Sequence, residues 1–161
     1  MTSETATIFL MLVAIPAVIV IWQDLREMKI SNKLSLVLLG LFAVSAPFLL
    51  TGEEILWRVV SSAVVFAIGL MLYMIRQMGA GDVKYATVIV LFVAPLDITL
   101  FMRILGVLAL AGLLTHRMFG RIPAARAAAP DWVSWDQPTF SYGMALSGAI
   151  LYYLTLVALA G

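Results

Sequence analysis

Apolar residues run through the chain in long stretches, and short polar segments separate them. A helix that crosses a bilayer needs about 20 mostly apolar residues, and most of these stretches approach that length. The fourth stretch is clearly shorter than the others. The pattern predicts an all-α, polytopic membrane protein of about six transmembrane helices, at Thr7–Trp22, Leu34–Leu50, Val59–Ile75, Tyr85–Leu96, Ile98–Thr115 and Tyr142–Ala160.

The composition agrees with a membrane protein and excludes several kinds of site. Hydrophobic residues make up 63% of the 161 residues, charged residues make up 12%, and the mean hydropathy is +1.07, whereas soluble domains carry about one quarter charged residues. A net charge of +1 gives no reason to expect a nucleic-acid partner. Without cysteine and with a single histidine, His116, the chain has no disulfide, thiolate or multi-histidine metal site, and we expect no metal or cofactor.

Positively charged residues indicate how the spans are oriented, because Lys and Arg concentrate in cytoplasmic loops. The fourth and fifth stretches form one long apolar region that only Pro95, Asp97 and Arg103 interrupt, and one long span there would leave the last three arginines on the outer side. Six spans with both termini on the non-cytoplasmic side are therefore favoured, and Arg58 and Arg103 are expected to snorkel from helix ends. This topology places eight of the ten Lys and Arg residues inside: Arg26, Lys29, Lys33, Arg76, Lys84, Arg117, Arg121 and Arg126.

The two ends of the spanning region suggest a single domain. The segment "MTSETAT" carries no Lys or Arg before the first apolar stretch, so that stretch is expected to be a retained helix instead of a cleaved signal peptide. The loop from His116 to Thr139 is too short and too rich in proline for a separate domain. We expect one membrane-embedded domain over residues 1–161.

Most acidic residues have a simple interpretation as solvated groups in loops and turns; these are Glu4, Glu53, Glu54, Asp97, Asp131 and Asp136. Two aspartates do not fit this interpretation. Asp24 directly follows the apolar "IVIWQ", and Asp82 follows "GAG" at the start of the fourth stretch. The predicted topology brings both to the same membrane boundary at a similar depth.

Two carboxylates that face each other raise the pKa of one partner and share a proton. The ionised partner can then activate a water while the protonated partner polarises a carbonyl and later protonates a leaving amine. This chemistry hydrolyses a peptide without a covalent intermediate, a metal or a cysteine. The pair Asp24 and Asp82 therefore indicates an aspartic peptidase.

The four residues of "GAGD" alone favour a plain turn with a capping aspartate, but together with Asp24 at the same membrane boundary they favour a catalytic site. Gly79 and Gly81 are expected to allow positive φ and close approach of another backbone, and Asp82 is expected to cap the fourth helix. Lys84 is explained by membrane orientation, with the orientation of a carboxylate as a second interpretation.

Three segments together resemble the type IV prepilin peptidases, which are aspartic membrane proteases of the GxGD kind: "DLREMKISNKLSL" from Asp24, "GAGDVK" from Gly79 and "YGMALSGA" from Tyr142. The resemblance covers nearly the whole chain in order and spacing. It implies a catalytic pair and several residues that shape the site or meet the substrate: Asp24 and Asp82, then Gly79, Gly81, Lys84, Tyr142 and Gly143.

The resemblance also implies a subgroup and a substrate. Larger members carry an N-terminal methyltransferase portion with paired cysteines, whereas this cysteine-free chain is similar to the short, peptidase-only form of Flp/Tad pilus systems, and no methyltransferase domain is expected. Such enzymes cleave a basic leader ahead of the hydrophobic helix of a prepilin, at the cytoplasmic face of the bacterial inner membrane. The expected partners are prepilins and the lipid bilayer, with the pilus assembly machinery as a further candidate and no nucleic acid.

Two other functions remain open from the residues. An ion-coupled transporter or channel also buries carboxylates, but here both aspartates lie near one boundary and no inverted repeat is evident. A catalytically silent subunit of a pilus or secretion assembly would carry the same spans. Cleavage of a prepilin would distinguish the peptidase from both.

Overall fold

A computed structural model describes residues 1–137 and 141–160, and within them it contains helices and no strand. The three tight 3₁₀ turns are Val90–Phe92, Pro95–Asp97 and Val133–Trp135. The α-helices are α1 (Ser3–Glu27), α2 (Asn32–Leu49), α3 (Gly52–Met74), α4 (Ala80–Ile89), α5 (Ile98–Phe119), α6 (Pro123–Ala128) and α7 (Tyr142–Leu159).

Five helical segments are long and apolar enough to cross a membrane: α1, α2, α3, Pro95–Phe119 and α7. The predicted all-α, polytopic fold class is therefore confirmed. The fourth predicted stretch, Tyr85–Leu96, differs from the expectation of a long helix. It begins inside the ten-residue α4 and continues as two short 3₁₀ turns.

The short α4 and the 3₁₀ turn after it run along the neighbouring α3 in the opposite direction. Ser62 of α3 donates a hydrogen bond to the carbonyl of Thr87 at 2.8 Å. Closer to the start of α3, Arg58 donates to the carbonyl of Leu91 at 2.9 Å. The chain thus returns to the end of the bundle where α3 begins before α5 starts, which is the reversal that a six-segment topology requires.

Arg58 is not at the surface, contrary to the expectation that it snorkels. Its side chain is 0% exposed, and its guanidinium lies 5.7 Å from the centre of the Phe9 ring. A helix end leaves carbonyl groups without partners, and such groups are costly in an apolar interior. Arg58 supplies a donor to one of them in the 3₁₀ turn after α4, whereas Arg103 is exposed.

The centre of the bundle is the long contact between α1 and α7. Small buried residues of α7, among them Gly143, Ala145 and Ala149, let the two helices approach closely, as is common in membranes. Tyr85 of α4 reaches this centre and shares a 2.7 Å hydrogen bond with Ser147 of α7. These contacts bring the beginnings of α4 and α7 to the end of α1.

The predicted loop after His116 folds over the same end of the bundle. It contains α6 and the last 3₁₀ turn, and Trp135 stacks on His116 at 4.6 Å and on Trp132 at 5.3 Å between ring centres. Trp132 in turn meets Trp22 of α1 edge to face. The end of this predicted loop, residues 138–140, lies outside the described residues.

Candidate active site

Asp24 lies in the last turn of α1 and is held by the beginning of α7. Its side chain is 3% exposed. One carboxylate oxygen, Oδ2, accepts a hydrogen bond from the Gly143 N–H at 2.7 Å and a second from the Ser141 hydroxyl. Donors of this kind stabilise negative charge on a carboxylate. The side chain of Asp24 is therefore fixed by residues 117 and 119 positions away in the sequence.

The turn after α1 sends the chain back past this carboxylate. Met28 adopts a left-handed conformation with φ 52°, and its N–H bonds the carbonyl of Asp24. This is the usual way in which a helix ends with a sharp change of direction. The turn carries Ile30 into the site.

Asp82 lies in the first turn of α4 and is half-buried. Its Oδ2 accepts a hydrogen bond from the Gly79 N–H at 3.1 Å, which satisfies a donor that the start of the helix would otherwise leave unpaired. The structure thus shows the expected capping role of Asp82. The N-cap position itself is occupied by Gly79, and Asp82 follows it by three positions.

The expectation of positive φ in "GAGD" is wrong. Gly79 has φ −74° and ψ 150°, and no glycine of the described residues has positive φ. The chain reverses before α4 at Arg76, whose φ is 60°. The other half of the expectation, close approach of a backbone, holds for Gly81, where an added Cβ would lie 3.2 Å from the carbonyl oxygen of Ile30.

Ile30 joins the surroundings of the two aspartates. On one side it contacts Gly81, next to Asp82. On the other side its Cδ1 would lie 2.8 Å from a Cβ added at Gly143, and Asp24 Oδ2 would lie at the same distance. The predicted residues Gly81 and Gly143 therefore line one small region with both carboxylates at its edges.

The charges of the two aspartates interact. Asp82 precedes the predicted span Tyr85–Leu96 and lies outside the five long helices. Burial, followed by the charge of Asp24, raises the pKa of its carboxyl to about 6, although the hydrogen bond from Gly79 lowers it. At about pH 6 the pair can therefore hold one shared proton.

Two other predicted residues lie near the starts of α4 and α7. Lys84 is exposed, and its Nζ donates to Asn32 Oδ1 at 3.2 Å, which links α4 to the start of α2. Tyr142 is the first residue of α7 and is half-buried.

Sequence reasoning missed Ser141. A serine before a predicted helix is normally a cap that bonds the first turn, and Ser141 does occupy the N-cap position of α7. Its hydroxyl is instead used by Asp24. The sequence shows a serine before a predicted helix, but it does not show that the partner of this serine is Asp24, 117 positions away.

A comparison with known protein families matches residues 9–116 to the type IV leader peptidase family. The match covers well over half of the chain and includes Asp24 and Asp82. This chain belongs to the type IV leader peptidase family. Its membership confirms the resemblance seen in the sequence and assigns leader peptidase function in general terms. Searches of curated proteins and of solved structures gave no match.

The family match ends before α7. The hydrogen bonds from Ser141 and Gly143 to Asp24 therefore lie outside the family match and are seen in the structure. Among the described residues, no group of three His, Asp or Glu side chains is placed to hold a metal ion.

Proposed function

We propose that this protein is a membrane aspartic endopeptidase that removes the basic leader of Flp-type prepilins at the cytoplasmic face of the membrane. Family membership supports leader peptidase activity. The observation that supports an aspartic mechanism is that Ile30 lies between the surroundings of Asp24 and those of Asp82, and that the charges of the two aspartates interact. Two such carboxylates are the minimum set for hydrolysis by an activated water.

The surroundings of the two aspartates suggest different roles. Asp24, whose Oδ2 accepts two hydrogen bonds, acts as the carboxylate that takes a proton from water as the water oxygen bonds the scissile carbonyl carbon. Asp82, whose pKa is raised to about 6, carries the shared proton and donates a hydrogen bond to the carbonyl oxygen. The C–N bond then breaks, and the leaving amine takes a proton from the carboxyl pair.

The position of the site in the bundle supports a cytoplasmic location. The helix ends and connecting segments at the end with Asp24 and Asp82 together carry eight of the ten Lys and Arg residues, and such positively charged regions favour the cytoplasm. A peptide bond within a helix is shielded, and its unwinding inside hydrocarbon leaves backbone groups unsatisfied. A site at the boundary lets water satisfy those groups.

Cleavage of a Flp-type prepilin by the purified protein tests this proposal. Wild type should produce the mass shift of leader removal, which neither a transporter nor a silent assembly subunit would give. Asp24→Asn and Asp82→Asn should each lower the rate by about 10³-fold or more, because loss of one member of a cooperating pair removes nearly the whole effect.

Asp131→Asn is the matched control, because Asp131 is exposed in the loop after α6. This variant should cleave at the wild-type rate. Gel filtration and circular dichroism would verify that each variant is folded. Substantial cleavage by either dyad variant would contradict the proposed pair.

A further inference from the structure

A groove of about 410 Å³ opens on the side of the bundle between α2 and α3, with α4 as its floor. Both α2 and α3 pack against α4, but they contact each other little. Because α4 is only ten residues long, it fills the space between its neighbours incompletely. The groove is of the size that binding clefts usually have.

One end of the groove lies where α2 and α4 begin, at the level of Asp82 in the bundle. Asn32 and Lys84 line this end, and Asp82 lies in the same first part of α4 as Lys84. From Asn32 the groove extends along α2 as far as Leu39, a distance of about 10 Å. The groove thus runs from the level of the two aspartates toward the membrane interior.

Ser35 gives the groove a polar feature that the fold does not use. Its side chain lines the groove and is only 6% exposed, yet its hydroxyl has no hydrogen-bond partner among the described residues. By contrast, Ser45 in the same helix donates to the carbonyl of Leu41 at 2.7 Å. A buried hydroxyl without a partner is uncommon and unfavourable, and a polar group in the groove can satisfy it once the Ser35 side chain rotates toward the groove.

We propose that this groove receives the first turns of the substrate's hydrophobic helix, directly after the scissile bond, and that Ser35 hydrogen-bonds a backbone group there. This inference rests on the proposed peptidase function. The first four N–H groups of a helix lack partners within the helix, and they are costly to leave unpaired in hydrocarbon. A serine hydroxyl, after a rotation of its side chain, can accept from one of them.

The apolar lining alone would not select a substrate. Leu39, Phe66 and Val88 offer contacts that lipid tails satisfy equally well, because tails are as apolar as leucine. A lipid tail cannot pair with the Ser35 hydroxyl, whereas the unwound end of a substrate helix can. Ser35 therefore favours the substrate over lipid at the point where the bond to be cleaved must leave the helix.

Disulfide cross-linking in membranes tests where the substrate helix binds. Because the chain contains no cysteine, only the introduced cysteines can react. In the Asp82→Asn background, which should retain uncleaved substrate, Leu39→Cys and Phe66→Cys should each form a disulfide with a prepilin that carries one cysteine in the first two turns of its helix. Such a bond requires Cα atoms within about 7 Å. Val107→Cys, on the exposed face of α5, is the matched control and should not react.

Kinetics of the otherwise wild-type enzyme test the role of Ser35. Ser35→Ala should raise the KM for the prepilin about fivefold with a smaller change in kcat, since it removes a binding contact remote from the reacting atoms. Ser45→Ala should match wild type. An unchanged KM, or cross-links as strong from Val107→Cys as from the groove, would show that lipid alone fills it. Failure of wild type to cleave any prepilin would instead overturn the proposed function.

Discussion

Asp24 lies in the last turn of a 25-residue helix, whereas Asp82 lies in the first turn of a ten-residue helix. Asp24 is almost completely buried, and its partners come from the beginning of α7. Asp82 is half-buried, and its hydrogen-bond donor is Gly79 of its own turn. Tertiary packing therefore fixes the first carboxylate, while a local turn holds the second.

This difference has a consequence for how a substrate reaches the pair. Asp82 can rotate away from Gly79 at the loss of one hydrogen bond, worth about 1 kcal/mol. Asp24 cannot move without disturbing the contact between α1 and α7. We therefore expect Asp24 to act as the fixed reference of the site and Asp82 to adjust when an extended peptide enters between the two carboxylates.

Among the glycine substitutions Gly143→Ala should show the largest effect, because its added methyl group would displace the fixed carboxylate of Asp24. The added Cβ would lie 2.8 Å from Asp24 Oδ2 and 3.0 Å from Asp24 Cγ, so the carboxylate that Ser141 and Gly143 hold would have to shift. We expect prepilin cleavage to fall by about 100-fold or more, since small displacements of catalytic groups cost that much.

Gly148→Ala is the control in the same helix, because its added Cβ would meet Leu108 at an ordinary 3.8 Å. It should cleave at the wild-type rate. Wild-type cleavage by Gly143→Ala, in a protein that elutes normally from gel filtration, would show that Asp24 is not fixed in the way described.

Gly79→Ala should have a smaller effect, although its steric conflict is as close. The added Cβ would lie 2.8 Å from Asp82 Oδ2, but this side chain can turn aside. We expect a loss of cleavage of about tenfold, which corresponds to roughly 1.4 kcal/mol. Measured beside Gly143→Ala, an equal or larger loss would mean that Asp82 is as rigid as Asp24.

The two aspartates could be singled out from the sequence because charged residues are rare in this chain, and both stand directly against apolar stretches. The order of helices could be predicted for a similar reason, since length and hydropathy largely determine which segments can span a bilayer. Both predictions depend on local composition, and the catalytic role of the aspartates stays a prediction.

The errors concern features that depend on distant parts of the chain. Arg58 is buried because the short α4 leaves the Leu91 carbonyl in need of a donor, and no pattern around Arg58 indicates this. Gly81 is small because Ile30 passes close by, and its own backbone is ordinary. Ser141 looks like a helix cap but bonds Asp24. Each requires knowledge of which helices meet.

The smallest expected effect concerns stability, and it tests the environment of Asp82 without a substrate. The ordinary pKa of an aspartate is 3.8, and burial, together with the charge of Asp24, raises that of Asp82 to about 6. The folded protein therefore retains this proton at a pH where the unfolded chain has released it. The free energy of unfolding is therefore highest below about pH 4. It falls as the pH rises toward 6, and it stays at the lower value above that.

Asp82→Asn removes the charge while it retains an acceptor for Gly79, so the variant should be more stable than wild type at pH 7.5 and equal to it near pH 4. The pKa shift of Asp82 corresponds to a difference of at most about 3 kcal/mol in the free energy of unfolding. Thermal unfolding in detergent at both pH values would measure this difference. Asp131→Asn, which changes an exposed group, should show no such dependence. Equal unfolding temperatures of Asp82→Asn and wild type at pH 7.5 would mean that Asp82 is solvated well enough to ionise freely. Asp82 would then not hold the shared proton that its proposed role as an acid requires.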